Sequence, residues 1–406
     1  MKYLLKCCKC GFEIRDFSVW FEHKQFCPKC GARHVEAVYH SDYSQLKDLL
    51  KSQADSLWHY FDFLPLKEKA DIVSFGEGAV ELEEWLFLNR FAAEQYGINC
   101  RVYAYRNDLN GGTGTLKDVA ATLTASVLKE NGIPHYCMSS TGNSATANAR
   151  YLSKAGIRFT NIAPATTNRD TIDEIHSYNQ EMIISAGDYA QAKREAADFS
   201  ERNGILMTLG NIDPLRVEAK RTMVFEFLRQ LGRLPDVYMQ AVAGGTGPIA
   251  LDKGFREIEE HLPNEWKLPR MLLVQQDLCD PMVQAWEKAK IDGFPEGFEK
   301  EYPIIENPST SIFILSAGNP AMYPLVATIV KKSDGDFIRV KEDELIDFAR
   351  IIHREKNIFI GPAATVCFAG FYQALKENKI NEGDTVVLNI GESGKRYSDF
   401  VHRIES

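Results

Sequence analysis

Short apolar runs alternate along most of the chain with longer segments in which apolar residues recur every three or four positions. Among the runs are RVYAYRND, residues 101–108, and VYMQAVA, residues 237–243; helical spacing marks residues 115–130 and 188–203. Continuous apolar runs are typical of strands buried on both faces, and the longer period is typical of helices. The alternation therefore predicts an α/β fold in which helices cover both faces of parallel sheets.

The same pattern predicts the remaining elements of this region. Further strands are predicted at residues 135–140, 157–163, 181–187, 205–210, 270–276, 357–361 and 385–391, and further helices at residues 144–156, 216–232, 248–261 and 364–377. One more helix is predicted to start at Glu342, Asp343 and Glu344, where acidic side chains suit the positive end of the helix dipole. Residues 41–75 are predicted to be a helical connector between this region and an N-terminal segment.

The composition narrows the class of protein. The chain has 406 residues, of which 45% are hydrophobic and 25% charged, and its net charge is −9. This balance is ordinary for a globular protein, and the excess of acids argues against broad binding to nucleic acid or anionic membranes. The chain has no run of about 18 apolar residues, and its first residues are too Cys-rich for a signal peptide. We therefore expect a cytoplasmic protein with neither a nucleic-acid nor a membrane partner.

Five of the nine cysteines lie within the first thirty residues. They include two C-x2-C pairs, each followed by glycine: Cys7 and Cys10, then Cys27 and Cys30. Two such pairs predict a closed tetrahedral zinc site, and the bound metal would supply the folding energy of a small zinc ribbon at residues 1–40. A redox pair or free thiols are the alternative interpretation.

Three further residues near these pairs are candidate ligands. Cys8 is a spare thiol, and His23 and His34 are imidazoles that could replace a cysteine. Four cysteines nevertheless suffice for a tetrahedral site. The ribbon alone does not indicate a function, because its few basic residues do not favour nucleic-acid binding.

A glycine-rich turn follows the predicted strand at residues 237–243. The turn consists of Gly244, Gly245, Thr246 and Gly247. Glycines leave backbone N–H groups free to surround an anion, and the helix that follows attracts it, so the turn predicts a phosphate-binding loop. The letters from Gly245 to Ala250 also fit a dinucleotide fingerprint. That fingerprint expects an acidic residue about twenty positions on, whereas the next strand ends only at Asp277.

Two other segments supply complementary groups. The loop after the strand at 135–140 includes Ser140, Thr141, Gly142, Asn143 and Ser144. Its hydroxyls, amide and backbone N–H groups at a helix start suit a carboxylate and exceed what a plain helix cap requires. In GGTGTLKDVA, residues 111–120, Lys117 opens a helix, where the helix dipole mildly opposes a positive charge. A lysine, a phosphate loop and a carboxylate loop are together the groups that hold pyridoxal phosphate.

With these motifs the sequence resembles the threonine-synthase-like enzymes of the fold type II pyridoxal-phosphate (PLP) group. The match includes the C-x2-C-G ribbon, LWHYFDFLPL, GEGAVEL, GGTGTLKD, STGN and NIDPLRVEAKRTMVFEFLRQLGRLPD, and it spans nearly the whole chain. The resemblance implies a tryptophan synthase β-like fold with parallel sheets flanked by helices. It places a PLP-dependent catalytic region at residues 76–406, with two α/β lobes, the smaller at roughly residues 110–230.

The resemblance also implies roles for the loops. Lys117 would carry the cofactor as an imine and then remove the substrate α-proton, and Asn143 would bond the phenolic oxygen of the cofactor. The loop from Ser140 to Ser144 would bind the substrate carboxylate. The loop from Gly244 to Gly247 would bind the cofactor phosphate.

Several positions depart from the family pattern. Val80 and Glu81 stand where the family has Thr and Pro after GEG, and Val119 replaces the Arg that follows the Lys-Asp pair. The family's E-P-A-S appears as GPAA, residues 361–364. Each change removes or alters a polar group, so the substrate of the family's best-known member is put in doubt.

The residue facing the pyridine nitrogen is also altered. The family places a threonine there, and this chain has Ile390, which leaves Ser393 as our choice of cofactor-binding partner for that nitrogen. Three charged residues, Arg106, Lys395 and Arg396, are candidates for binding a substrate phosphate. An ordinary solvated charge at a strand end is the equal alternative for each of them.

Three strings, QAVAGGTGPI, VQQDLCDPMVQAWEK and LNIGESGKR, resemble cysteate synthase more closely. That relative replaces the phosphate of phosphoserine with sulfite. We therefore predict a cysteate-synthase-like, PLP-dependent lyase or transferase that performs β-replacement on a phosphorylated or otherwise activated serine-like amino acid. The donors lost at Val80 and Val119, and the acid gained at Glu81, would disfavour the distal phosphate dianion of phosphohomoserine.

Other functions stay open at this point. Threonine synthase, converting O-phosphohomoserine to threonine, is the first alternative. A nicotinamide-dependent dehydrogenase and a non-catalytic zinc-ribbon binding protein are alternatives of other classes. The expected partner is a small amino-acid substrate, and a homodimer is the assembly we consider.

Overall fold

A computed structural model describes residues 2–262 and 266–406 of the chain. The strands are β1 (Tyr3–Cys7), β2 (Glu13–Ile14), β3 (Val35–Tyr39), β4 (Leu82–Glu84), β5 (Arg101–Tyr105), β6 (His135–Met138), β7 (Arg158–Pro164), β8 (Glu181–Ser185), β9 (Leu206–Met207), β10 (Val237–Ala241), β11 (Arg270–Gln276), β12 (Asp336–Val340) and β13 (Thr385–Asn389).

The α-helices are α1 (Phe17–Glu22), α2 (Tyr43–Leu49), α3 (Leu86–Tyr96), α4 (Lys117–Glu130), α5 (Asn143–Lys154), α6 (Arg169–Ser177), α7 (Tyr189–Asn203), α8 (Pro214–Leu231), α9 (Thr246–His261), α10 (Pro281–Ile291), α11 (Tyr323–Lys332), α12 (Leu345–Lys356), α13 (Pro362–Lys376) and α14 (Ser398–Glu405). Short 3-10 helices lie between them, among them Leu57–Phe63 and Gly394–Arg396. None of the helices in the described ranges is long and apolar enough to cross a membrane.

Two compact units divide the chain. Unit 1 contains the described residues up to Ala79 together with Asn110–Phe225 and Glu260–Leu262. Unit 2 contains Val80–Leu109, Glu226–Glu259 and the described residues after Leu262. The chain therefore passes between the units several times, and each unit collects segments that are distant in sequence.

Unit 1 includes the cysteine-rich ribbon. Its three strands pair antiparallel in the order β2-β1-β3, with Cys7 opposite Val35. Because the side chains alternate along β1, Tyr3, Leu5 and Cys7 are all buried on one face. The ribbon thus has a small apolar core, but one too small to fold on area alone.

A buried ion pair connects the ribbon to helix α8. The Glu218 carboxylate accepts hydrogen bonds from Ala37 N at 2.8 Å and from the Tyr39 hydroxyl at 2.8 Å, both on β3. Arg221 Nε lies 3.2 Å from the same carboxylate, and neither side chain of the pair is exposed. Arg221 also donates to the Phe63 carbonyl. Since removing one partner leaves a buried charge uncompensated, the ribbon, the 57–63 turn and α8 depend on one another.

The larger sheet of unit 1 has the order β8-β7-β6-β9 and is parallel throughout. Residues 205–210, predicted to be a strand, contribute only the two residues Leu206–Met207, because the chain turns at Gly210 with a φ of +68°. The carboxyl end of β6 leads into residues 139–142 and then into α5. The sheet thereby places that loop at one edge, where parallel sheets usually bind ligands.

The sheet of unit 2 has the order β12-β11-β10-β13-β5-β4. All its pairings are parallel except that of the edge strand β4 with β5. A buried core of strand and helix side chains includes Val102, Met239, Val274, Val386 and Phe368. The predicted α/β fold is confirmed, with an antiparallel edge strand added to the expected parallel sheets.

The strand predicted at residues 357–361 is wrong. Only Ile360 makes a bridge, to Ser393. Helix α12 ends with Asn357 in the left-handed conformation, and α13 begins at Pro362. The few residues between two helix ends leave no room for a strand, and proline fits the first turn of the second helix.

Candidate functional site

The loop before Lys117 is held by hydrogen bonds to side chains. Lys117 is the first residue of α4 and is half-buried. The carboxylate of Asp118 accepts from Thr113 N at 2.8 Å, Thr113 Oγ1 at 2.9 Å and Thr115 N at 2.9 Å. Asn110 accepts from Gly78 N at 2.9 Å and donates to the Thr115 carbonyl at 3.0 Å. The loop therefore has one fixed path, and Lys117 begins α4 from a rigid base.

Two glycines in this loop are required by close approach. A Cβ at Gly111 would lie 2.0 Å from the Phe75 carbonyl oxygen. A Cβ at Gly112 would lie 2.4 Å from Asp118 Oδ1 and 2.5 Å from the Tyr151 hydroxyl. All three distances are shorter than the contacts that real Cβ atoms make, so the glycine-rich spacing before Lys117 has a steric cause.

A second buried carboxylate lies behind the loop. Glu77, which is fully buried, accepts from the Tyr151 hydroxyl at 2.6 Å, Ser74 Oγ at 2.9 Å and Phe75 N at 2.8 Å. Burial raises the pKa of Asp118 to about 6, while its bonds from Thr115 and Thr113 act in the opposite direction. Sequence reasoning quoted Glu77 only as part of a motif and missed its supporting role.

The predicted carboxylate loop is held by an asparagine on the neighbouring strand. Asn161 of β7 accepts from Ser140 N at 3.1 Å and donates to the Ser140 carbonyl at 2.9 Å. Asn143 is the buried first residue of α5, with Gly142 as its N-cap. The buried Ser139 hydroxyl, which the prediction left out of the site, has no hydrogen-bond partner in residues 2–262 and 266–406.

Helix α8 brings two cations toward this loop. Arg216 Nη2 lies 3.5 Å from Ser144 Oγ, and Arg216 Nη1 donates to the Gly210 carbonyl at 2.9 Å. Lys220, four residues further along α8, is 2% exposed. Burial lowers the pKa of Lys220 well below its ordinary value, and the positive charges of Lys117 and Arg216 lower it further. Neither cation was predicted to belong to the site.

In unit 2, the predicted phosphate loop joins β10 to α9. Gly245 has a φ of +91°, and a Cβ there would lie 2.4 Å from Val326 Cγ2. A Cβ at Gly247 would lie 2.2 Å from Gln240 Oε1. Thr246 is buried and is the first residue of α9, a helix of sixteen residues. The loop thus has the backbone of an anion site at a helix N-terminus, with no room for side chains.

Buried polar side chains fix the strand ends beneath this loop. Gln240 Oε1 accepts from the Tyr238 hydroxyl at 2.9 Å, and that hydroxyl accepts from Asn389 at 2.7 Å. Asn107 donates to Asn389 at 3.1 Å. The chain of bonds runs across β10, β13 and the residues after β5. It holds the three strand ends at the edge of the sheet from which the glycine loop leaves.

The C-terminal loop places Ser393 next to a buried acid. Ser393 Oγ accepts from Lys395 N at 3.3 Å and so caps a short 3-10 turn. Glu392, which is 1% exposed, accepts from Ala363 N at 2.8 Å and from the Tyr397 hydroxyl at 2.7 Å. The assignment of Ser393 to the pyridine nitrogen stays a prediction, since its hydroxyl already serves the backbone.

Arg106 has a different role from either one predicted. Its side chain is buried and makes two hydrogen bonds with Asp108, at 2.9 and 2.8 Å, as well as an ion pair with Glu83. It is therefore neither a free phosphate ligand nor a solvated charge. Lys395 is exposed, in line with the plainer alternative for that residue.

The prediction that Glu81 disfavours a substrate phosphate is wrong. Glu81 is exposed, so it does not repel a phosphate by pointing inward. Val80 and Val119 are buried, at 7% and 1% exposure, and they offer no donor at the two positions where the family has polar residues. The two valines therefore lack the donors that a phosphohomoserine dianion needs, whereas the exposed Glu81 does not act against it.

The four predicted zinc ligands converge. The sulfur atoms of Cys7, Cys10, Cys27 and Cys30 all lie within 4.8 Å of one another. The Cys7–Cys30 and Cys10–Cys27 separations are 3.6 and 3.7 Å, close to the roughly 3.8 Å between thiolates on a tetrahedral zinc with bonds of about 2.3 Å. His34 instead groups with Cys8 and Glu36. The geometry is compatible with a metal site of four sulfurs.

The family of pyridoxal-phosphate dependent enzymes matches residues 74–391, which include Lys117, the loop from Ser140 to Ser144 and the loop from Gly244 to Gly247. The chain belongs to this family. The enzyme is similar to the threonine synthases of Methanocaldococcus jannaschii, with 26% identity over 95% of this chain and 90% of that one, and of Methanosarcina acetivorans, with 27% identity over the same shares. The resemblance to threonine-synthase-like enzymes of fold type II is thereby confirmed.

Solved structures support the same fold. Diaminopropionate ammonia lyase from Escherichia coli has a TM-score of 0.65 and 14% identity, covering 89% of this enzyme and 91% of that chain. O-ureido-L-serine synthase has a TM-score of 0.61 and 16% identity, covering 79% and 90%. Threonine deaminase isoform 2 from Solanum lycopersicum has a TM-score of 0.64 and 17% identity, covering 90% and 88%. At these identities the likeness establishes the architecture alone.

The residues present fit the cofactor that the family implies. In unit 2, Gly245 and Gly247 leave backbone space that a Cβ would fill, which suits a phosphate. In unit 1, Lys117 begins α4 beside the loop held by Asp118 and supplies an amine, the group that condenses with an aldehyde. Lys117 would carry the cofactor, and the glycine loop would hold its phosphate.

We predict that Asp118→Asn destabilises the enzyme by about 1–3 kcal/mol, because the new amide presents an N–H group to the Thr115 N–H donor. The folded-state pKa of Asp118, about 6, lies above its ordinary value of 3.8. The folded protein therefore holds this proton more tightly, and the stability it contributes is lost as the pH rises from about 4 to 6. The loss caused by the substitution should be larger at pH 4.5 than at pH 7.5.

Urea unfolding at the two pH values measures this difference. The matched control is Asp173→Asn, whose side chain is 55% exposed and should change stability by less than about 0.5 kcal/mol. An Asp118→Asn loss that is equal or smaller at pH 4.5 would contradict the assignment.

Proposed function

We propose that the enzyme catalyses β-replacement on a phosphorylated or otherwise activated serine-like amino acid. The observation that carries the proposal is the pair of buried valines, Val80 and Val119, at positions where the threonine-synthase pattern has Thr and Arg. A distal phosphate dianion needs several donors, and each missing one weakens binding because the anion must still be desolvated. A substrate activated at the β-carbon carries its leaving group closer to the α-carbon and depends less on those positions.

In this reaction Lys117 acts twice. It would carry the cofactor, and its amine, when free, would take the α-proton of the substrate. Bound pyridoxal phosphate withdraws the electron pair left on the α-carbon. The leaving group departs from the β-carbon with its bonding pair, a nucleophile adds to the same carbon, and Lys117 returns the proton to the α-carbon. The loop from Ser140 to Ser144 would hold the substrate carboxylate, with Asn143 bonding the cofactor.

Threonine formation from phosphohomoserine is the second candidate. It is favoured by relatives named threonine synthase that match 95% of this chain. Both reactions need the same lysine, cofactor and carboxylate loop. They differ in whether the leaving group sits on the β- or the γ-carbon of the substrate.

Steady-state kinetics with phosphoserine, acetylserine and phosphohomoserine separates the two candidates. Phosphate or acetate release is measured with sulfite or sulfide as the nucleophile, and amino-acid products are identified. We expect a higher kcat/KM for at least one activated serine than for phosphohomoserine. Threonine produced from phosphohomoserine with the higher kcat/KM would overturn the proposal in favour of the second candidate.

We predict that Lys117→Ala folds but lacks the visible absorption of covalently bound cofactor, and that borohydride no longer fixes the cofactor to the protein. The reason is the loss of the amine that forms the covalent link. Lys395→Ala, which alters an exposed lysine, is the control and should keep both signals. Full turnover by Lys117→Ala, with the cofactor fixed to another lysine, would show that the assignment is wrong.

We also propose that Cys7, Cys10, Cys27 and Cys30 bind one structural zinc. Four converging sulfurs make a closed site without a catalytic water. We predict about one equivalent of zinc in the purified enzyme and less than half of that in Cys10→Ser. Cys8→Ser, which changes the neighbouring exposed thiol, should keep the metal. Metal analysis that finds less than half an equivalent in the unmodified enzyme, with no iron in its place, would contradict the zinc site.

A further inference from the structure

Lys220 is a buried lysine whose side chain makes no hydrogen bond or ion pair with the described residues. The residue is 2% exposed, and within residues 2–262 and 266–406 its ammonium makes no hydrogen bond or ion pair. Lys253 is equally buried but lies 2.7 Å from the carboxylate of Glu257. Buried charges in proteins are normally paired with an opposite charge, as Lys253 is. The different state of Lys220 therefore calls for an explanation.

The surroundings of Lys220 are positive. Both Lys117 and Arg216 act on it electrostatically, and both add to the cost that burial imposes on its charge. The charged form of Lys220 is therefore unfavourable in the folded protein unless an opposite charge lies beside it. An anion bound beside it would offset that cost.

The position of Lys220 connects it to the predicted substrate loop. Lys220 and Arg216 are four residues apart on α8, so they lie on the same face of the helix. Arg216 in turn reaches Ser144 Oγ at 3.5 Å, at the end of the predicted carboxylate loop. The lysine is thus placed on the helix face that approaches the site, within unit 1.

We propose that the ammonium of Lys220 binds an oxyanion of phosphorus or sulfur that belongs to the leaving group or to the nucleophile of the replacement reaction. This inference rests on the proposed function and specifies its substrate class. A lysine ammonium is a compact point charge that suits such oxyanions, and a partner anion restores the pairing that the protein itself leaves unmade. Specificity for an anionic reactant would then come from α8 and would not need the positions of Val80 and Val119.

The test compares Lys220→Gln with Lys220→Arg, and uses Lys253→Gln as the control at the other buried lysine. All are studied as holoenzymes, in which the cofactor's own phosphate is expected to fill the glycine loop. Changes in the visible absorption of the cofactor report the binding of phosphoserine and of serine, which differ only in the phosphate. Calorimetry reports the binding of inorganic phosphate and of sulfite.

We expect Lys220→Gln to weaken at least one oxyanion by about 10- to 100-fold and to change serine binding by less than about twofold. Lys220→Arg should recover most of the loss, and Lys253→Gln should resemble the unmodified enzyme. Weaker binding of phosphoserine and inorganic phosphate would identify the leaving group as the source of the oxyanion. Weaker binding of sulfite alone would identify the nucleophile.

Equal binding of all these anions to the unmodified enzyme and to Lys220→Gln would overturn the proposal. So would a failure of the unmodified enzyme to bind inorganic phosphate, sulfite or phosphoserine. If Lys220→Gln does not fold, Lys220→Arg is used instead. A folded Lys220→Arg that binds phosphoserine, inorganic phosphate and sulfite no more tightly than serine would also overturn the proposal. Failure of the proposed function would be seen separately, as a lack of spectral response to every amino acid while calorimetry still detects the inorganic anions.

Discussion

The carboxylate of Asp118 is the constraint on which the loop before Lys117 depends. It is fully buried and accepts three hydrogen bonds from the loop that precedes Lys117. Those bonds are made only if the loop passes close enough that position 112 has no side chain. One acid therefore sets the path of the loop, the need for glycine and the starting point of α4. The adjacent Lys117 inherits its position from this arrangement.

The glycine loop of unit 2 is supported by uncharged side chains instead of acids. Neutral side chains, Tyr238, Gln240, Asn389 and Asn107, form a chain of hydrogen bonds beneath it. Neutral groups suit a place where an anion is to bind, because a buried carboxylate there would repel the anion. In unit 1, by contrast, two buried acids, Asp118 and Glu77, accept the hydrogen bonds that hold the segments next to Lys117. Neutral groups thus support the loop that is expected to bind an anion, and acidic groups support the loop that precedes a lysine.

Local patterns in the sequence were sufficient to predict the loops and their neighbouring elements. The helix expected at residues 115–130 is observed from Lys117 to Glu130, and the glycine-rich turn at Gly244 leads into α9 as expected. Groups that act across the fold were not predictable in this way. Arg106 pairs with Glu83, which lies 23 residues earlier in β4, and no local pattern indicates such a contact. Asn161 supports Ser140 from 21 residues away, and no periodicity marks such a contact.

The same limit applies to side-chain direction and to short segments. The sequence does not decide whether the side chain of Glu81 points inward or outward, because the residue directly precedes a short edge strand. Residues 357–361 read as a strand because they are apolar. Asn357, which ends α12, and Pro362, which begins α13, leave too few residues between them for a strand. Lys220 was overlooked because a lysine within a helix is normally solvated, and only burial distinguishes it.

The ion pair of Glu218 with Arg221 has a consequence for how the ribbon relates to the chemistry. Glu218 receives two hydrogen bonds from β3 and lies between Arg216 and Lys220 on α8. The ribbon therefore belongs to the same cooperative folding unit as the helix that presents both cations. The same helix contacts the ribbon through Glu218 and Ser144 through Arg216. If metal bound at the cysteine cluster changes the affinity of this helix for an anion, linkage requires the anion to change the affinity for the metal by the same factor.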